Sequence, residues 1–151
     1  MDRLDKKLLN LLQADASRTN ADLANEVGLS ASTCLRRVAR LRLTGVIDRV
    51  VAILNPSRIG HGLKAIVTVE LERRGERHTQ RFLDLASAEP AVVQAYSISG
   101  QADVVLMLRL ADMAEFESLC GRLFEGRANV ARYYTSFVIR TAKETTAIPL
   151  A

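Results

Sequence analysis

Cys34 and Cys120 are the only thiols in this chain, and they lie far apart, at no metal-ligand spacing and in no disulfide framework. Its two histidines, His61 and His78, have no cysteine, aspartate or second histidine beside them at ligand spacing, so no metal site is expected. Stretches without a charge, such as Val50–Pro56, are too short to cross a bilayer, so no membrane partner is expected. The opening MDRLDKKLLNLL mixes acids with bases and lacks a small-residue cleavage site. A secretory signal is therefore not expected, and a reducing cytoplasm is the expected compartment. Residues 61–151 contain no glycine-rich phosphate loop, Ser/His/Asp arrangement or close carboxylate pair, so an enzyme is not expected either.

What is present suits an ordinary soluble globular protein: 48% apolar and 25% charged residues over 151 positions, enough for one domain or two very small ones. The net charge of +4 is unevenly placed. Residues 1–60 hold ten Lys and Arg against six Asp and Glu, whereas residues 61–151 hold eleven of each. A basic module joined to a neutral one points to nucleic acid or another anionic surface.

Leu4, Leu8, Leu11 and Leu12 recur at helical spacing, which predicts a first amphipathic helix over residues 3–14. Thr19 followed by Asp22 resembles a capping box, and Leu23, Ala24 and Val27 continue as a short apolar stripe that ends at Gly28. Ser30 then caps a third helix running to about Thr44, with Gly45 as its stop. A longer helix followed by two short ones around a tight glycine turn is a helix-turn-helix pattern.

At about 100° per residue, Ala31, Cys34, Leu35, Val38 and Leu41 of the third helix turn inward. Thr33, Arg36, Arg37 and Arg40 cluster outward, with Ser32 at their edge. Hydroxyls and backbone N–H groups at a helix start suit phosphates, and arginine can grip guanine bidentately, so this face is the expected reader of double-stranded DNA. A merely solvated basic face is the alternative for such a helix taken alone. Arg42, near the apolar side, is expected to snorkel or to pair with an acid.

From Val46 to Leu54 the chain is β-branched and reads as a strand pair, or wing, from which Arg49 can reach a phosphate or stand as an ordinary surface arginine. Strands are then expected over Leu63–Leu71, Val92–Ser99, Asp103–Leu110 and Val130–Arg140, with helices over Glu76–Ala88 and Asp112–Phe124. That order is the ferredoxin-like βαββαβ arrangement, so the fold class is α+β: a winged helix-turn-helix followed by a four-stranded antiparallel sheet with both helices on one face. The domains are read as 1–50 for DNA binding, 51–62 as linker strand or hinge, and 63–151 for the βαββαβ unit. The bare sheet face is apolar and aromatic, which implies that a second copy covers it.

Several segments follow one another in a telling order: Leu4-Asp5-Lys6-Lys7-Leu8-Leu9, Leu23-Ala24-x-x-Val27-Gly28-Leu29-Ser30, Cys34-Leu35-Arg36-Arg37-Val38-x-Arg40-Leu41, Gly45-Val46-Ile47, Ser99-Gly100-x-x-Asp103 and Lys143-Glu144-Thr145-Thr146. Over essentially its whole length the chain resembles the Lrp/AsnC (feast/famine) family of transcription regulators. The resemblance implies homodimers assembling into tetramers or octamers, no cofactor, and a small effector, an amino acid, bound between dimers. It carries effector contacts onto Gly100 and Asp103, and onto Met113, Ser136, Phe137 and Val138. Asp103 can pair with an α-ammonium or can cap a turn between two strands; the other residues can equally be core or interface. Gln101 and Ala102 stand where many members have an acid and an aromatic, so the effector of better-known members does not transfer.

The function expected is a sequence-specific, effector-responsive transcriptional regulator. An architectural protein that wraps DNA with little sequence preference is the alternative, and a metabolite-binding module without DNA function is a third.

Overall fold

The computed structural model describes residues 1–125 and 129–150. They form two compact units, one of residues 1–53 with 142–150 and the other of residues 54–141.

The first unit is built on three helices, α1 (Arg3–Ala14), α2 (Asn20–Val27) and α3 (Ala31–Leu43). Each begins where a side chain satisfies the free N–H groups of the first turn. Asp2 and Asp5 form a reciprocal box, the Asp2 carboxylate accepting the Asp5 N–H at 2.8 Å and the Asp5 carboxylate accepting the Asp2 N–H at 3.1 Å. Thr19 and Asp22 repeat the device at α2 with both bonds at 3.2 Å, and the Ser30 hydroxyl accepts the Thr33 N–H at 3.3 Å. Caps of this kind contribute about 1 kcal/mol each. Gly28 closes α2 at φ +74°, a left-handed conformation that a Cβ would strain. Leu8, Leu23, Ala24, Val27, Cys34 and Val38 interlock as the core. Leu41 joins the buried set, while Leu35 and Ala31 are exposed, contrary to the inward face expected for them.

A further expectation is corrected here. Between Val46 and Leu54 no ladder forms among the described residues, so the wing is absent as a strand pair. The β-branched residues there are suited to a strand, but a strand needs a partner for its N–H and C=O groups, and none is found among the described residues; Val51 and Ile53 stay 65% and 76% exposed. Residues 142–150, read with the βαββαβ unit, lie in the same compact unit as the helices. The Gln13 side-chain amide donates to the Ile148 carbonyl at 3.0 Å and accepts the Ile148 N–H at 2.6 Å, replacing the ladder bonds an extended tail would otherwise lack. Ala151 lies outside the described residues.

In the second unit Asn55 caps a short 3-10 turn, Pro56–Ile59. There follow β1 (Leu63–Leu71), α4 (Glu76–Ser87), β2 (Val92–Ser97), β3 (Val104–Leu110), α5 (Met113–Leu123) and β4 (Val130–Phe137). The sheet order is β2-β3-β1-β4, antiparallel throughout, as the element order implies. The second and fourth strands stop short of the expected Ser99 and Arg140. Alternation sets the two faces. Ala65, Val67, Val69 and Leu71 of β1 and Val104, Leu106, Leu108 and Leu110 of β3 are buried with Phe82 and Ala86 of α4 and with Leu119 and Leu123 of α5. On the other face Ile66 lies opposite Met107 and Ser136, and Thr68 opposite Val105 and Tyr134.

Leu106, fully buried on a central strand, has no route to collapse around a cavity. Leu106→Ala is expected to destabilise the chain by about 2–5 kcal/mol, read as a lowered midpoint in urea denaturation. An unchanged midpoint contradicts this packing.

Candidate functional site

The outward face of α3 collects five of the residues singled out for DNA, and the structure gives them unequal freedom. Ser32 is exposed and Thr33 half-buried; both hydroxyls are tied to Ser30, at 3.2 Å and 2.8 Å. Arg36 is exposed, and among the described residues no acid pairs with it. Arg37 and Arg40 are not free cations. Arg37 Nη1 donates to Asp2 Oδ2 at 2.7 Å and to Asp5 Oδ1 at 2.8 Å, while Arg40 Nη2 donates to Asp5 Oδ2 at 2.6 Å. Arg37 is 24% exposed by side chain and Arg40 53%, so Arg40 keeps its remaining N–H groups toward solvent. Together Asp2, Thr33, Arg36, Arg37 and Arg40 line one shallow groove.

Asp5 is the surprise of this face. Its side chain is 1% exposed, yet it carries charge. Burial raises its pKa, but the Asp2 N–H and the guanidiniums of Arg37 and Arg40 outweigh that and hold the carboxyl at about 2. Sequence reasoning missed it because its partners lie on another helix more than thirty residues away; the only available sign was an acid at the first turn of α1.

Arg49 is 78% exposed by side chain, with Asp48 at 3.7 Å, on the segment that forms no wing. Arg42, expected to snorkel or pair, is exposed and finds no acid among the described residues; it lines a shallow groove with Ile47, Asp48, Arg49 and Val50. Cys34 is fully buried, and burial pushes its thiol up, as befits an unreactive apolar group.

The residues singled out for an effector fall into two groups. Gly100, at φ +134°, leads into Asp103, which is sewn to the far end of β1. The Asp103 N–H donates to the Val69 carbonyl at 2.9 Å, its Oδ2 accepts the Leu71 N–H at 2.8 Å, and its Oδ1 lies 3.5 Å from Arg74 Nε. Ser136, Phe137 and Val138 lie at the opposite end of β1: Phe137 pairs with Ala65, and the Val138 N–H donates to the Lys64 carbonyl at 2.9 Å. Five residue-to-residue steps of strand separate Lys64 from Val69, roughly 17 Å. Neighbours also part company by face, since Phe137 meets Phe116 edge-on at 5.1 Å while Ser136 lies opposite Ile66 on the bare face. Met113 is half-exposed, one turn before Phe116 on α5.

Three helices with a tight glycine turn, and a third helix that displays arginine, define a helix-turn-helix protein carrying a separate α+β domain. Residues 1–42 match the AsnC-type helix-turn-helix domain, and residues 64–148 match the Lrp/AsnC ligand binding domain. The chain belongs to the Lrp/AsnC family of transcriptional regulators. It is 33% identical over 150 residues to the glutamate uptake regulatory protein of Zymomonas mobilis, covering 99% of this chain and 91% of that one. Among solved structures it is similar to an AsnC family transcriptional regulator from Agrobacterium tumefaciens, with a TM-score of 0.93, 33% identity, and 99% and 97% of the two chains covered. A transcriptional regulator from Neisseria meningitidis in complex with L-Met gives a TM-score of 0.92 at 30% identity, covering 99% and 96%.

The depressed carboxyl of Asp5 has a direction in pH. A folded-state pKa below the unfolded 3.8 gives stability that is present above pH 4 and is lost as pH falls through about 2. The shift corresponds to about 2 kcal/mol. Asp5→Asn is expected to lower stability by that amount at pH 7 and to flatten the acid limb between pH 5 and 2, measured by denaturation at a series of pH values. A variant that keeps the wild-type acid limb shows that Asp5 is not the group titrating.

Proposed function

We propose that this regulator binds double-stranded DNA in a sequence-specific way through the outward face of α3, and that an amino-acid effector held by its second unit adjusts that binding. The observation that carries the DNA reading is Arg36, exposed and without an acidic partner among the described residues, lining a groove with Thr33, Arg37 and Arg40. Ser32 and Thr33 stand near the positive N-terminal end of α3, where phosphate is favoured, and Arg49 adds a backbone contact.

The active species proposed is a homodimer or a higher assembly such as a tetramer or octamer. Exposed Tyr96 and Tyr134 on the bare sheet face, exposed Val50, and exposed Val51, Ile53 and Leu54 of the 51–62 linker region are apolar surface that a second copy would cover. A dimer places two α3 helices in successive major grooves, roughly 34 Å apart. Residues 1–50 serve as the DNA-binding part and the βαββαβ unit as the sensing part, in the cytoplasm.

The effector proposed is an amino acid. A free amino acid is far shorter than the distance between the Gly100–Asp103 turn and the 136–138 end of β4, so one chain cannot surround it with both. Two chains can, the turn of one meeting the strand end and Met113 of another, which supports a site between dimers. The Asp103 carboxylate would take an α-ammonium in place of Arg74, as a charge-assisted hydrogen bond.

If a dimer meets about six phosphates, log K is expected to fall with log salt at a slope near −5 in anisotropy titrations, and Arg36→Ala is expected to cost about 1–3 kcal/mol on the preferred duplex. Equal affinity for the preferred and bulk duplexes would identify an architectural DNA-wrapping protein instead.

A thermal-shift screen of the amino acids is expected to yield one that raises the melting temperature. Asp103→Asn, which retains an acceptor for the Leu71 N–H, is expected to lose that response. A response of wild-type size in the variant removes Asp103 from the effector site.

A further inference from the structure

We infer that Asp5 is a positioning residue for DNA recognition, dividing the three arginines of α3 into one that is locked, one that is braced and one that reads. This rests on the DNA reading proposed above and extends it to a residue on a different helix. Both Asp5 oxygens are taken by guanidinium, Oδ1 by Arg37 at 2.8 Å and Oδ2 by Arg40 at 2.6 Å, and the group is sealed from water at 1% exposure. Asp2 adds a second carboxylate on the same Arg37 Nη1. The capping box of α1 is thus bolted to the face of α3.

The three arginines then have different chemistry. Arg37 spends Nη1 on two carboxylates and is three-quarters covered; its task is to fix α3 against α1. Arg40 is held from behind by one amine while half its side chain faces outward. A guanidinium braced on a carboxylate presents its remaining N–H groups in one orientation, which suits a phosphate oxygen and spares the entropy of ordering it on binding. Arg36, with no acidic partner among the described residues, is left to search a base edge.

Charge counting and positioning predict opposite signs for the same substitution. Asp5→Asn removes a negative charge from beneath a DNA-facing groove, so long-range electrostatics alone would tighten binding to every duplex. Loss of positioning weakens the preferred duplex selectively.

The experiment uses the full chain and a duplex enriched by the wild type from a random-sequence library, with a scrambled duplex of equal length as control. Asp5→Asn is expected to lose at least tenfold in affinity for the enriched duplex while holding or gaining affinity for the scrambled one. Arg40→Gln is expected to lower the salt slope by about one per bound chain, and Arg37→Gln to leave the slope unchanged. Tightening of Asp5→Asn on both duplexes alike overturns the proposal, as does a reduced slope in Arg37→Gln, a measurement that stands even if Asp5→Asn does not fold. A wild type that enriches no sequence overturns the DNA reading itself, which is a different result from a selective wild type whose selectivity survives Asp5→Asn.

Discussion

A buried carboxylate that stays charged constrains everything around it. Taking such a group out of water costs several kcal/mol unless donors replace the water on both oxygens. At Asp5 the replacement comes from the Asp2 N–H, Arg37 and Arg40. The satisfaction is conditional on geometry: it requires α1 to begin where it does and α3 to turn Arg37 and Arg40 back toward it. The apolar cluster of Leu8, Leu23, Cys34 and Val38 is compatible with small rotations of the helices, because burial of aliphatic area has no direction. Hydrogen-bonded charge does have direction. The apolar core therefore supplies much of the association of these helices, and the Asp5 cluster selects one orientation of it.

This explains which parts of the first unit could be read from the sequence and which could not. Helix spacing, the Thr19–Asp22 box, the Ser30 cap and the Gly28 stop are all local signals, and each element stands where those signals place it. The outward set of arginines is also local, being a matter of rotation about one axis. Their partners are not local. A helical wheel treats Arg36, Arg37 and Arg40 as equals, and only the packing of α1 against the bundle separates them. The missing wing has the same origin in reverse. Val46–Leu54 has the side chains of a strand, but side-chain type expresses suitability for a ladder, and the ladder depends on a second strand that is not found among the described residues. Gln13 and Ile148 are a further case: nothing in an IPL terminus announces a partner 135 residues earlier.

The sheet was more legible because its period is two and its register is enforced. A slip of one residue would carry Val67, Val69, Leu106 and Leu108 from the core to the bare face, so alternation in the sequence and burial in the structure agree along β1 and β3. The ends of β2 and β4 were less legible, since pairing stops where the neighbouring strand stops and not where β-branched residues do.

The same alternation limits how an effector can be sensed. Ser136 and Phe137 are adjacent in sequence and opposite in facing, the one toward the bare side of the sheet and the other against Phe116 of α5. A ligand reaching both must lie over the end of β4 and not on either face, and a ligand at that end is the length of β1 away from Asp103. The Asp103 carboxylate already has two partners in the chain, Leu71 and Arg74, so its first task is to hold β1 at the irregularity between Glu70 and Leu71. Arg74, 66% exposed by side chain, is the partner of the two that can leave without breaking a backbone hydrogen bond. A cationic group arriving from another chain's side of an interface would meet an acid already oriented by a backbone N–H, and would release a solvent-facing arginine to a new partner. On the effector site proposed above, binding at the turn would redistribute charge on the surface that carries it, a physical route from effector to the proposed assembly that needs no rearrangement of the buried sheet.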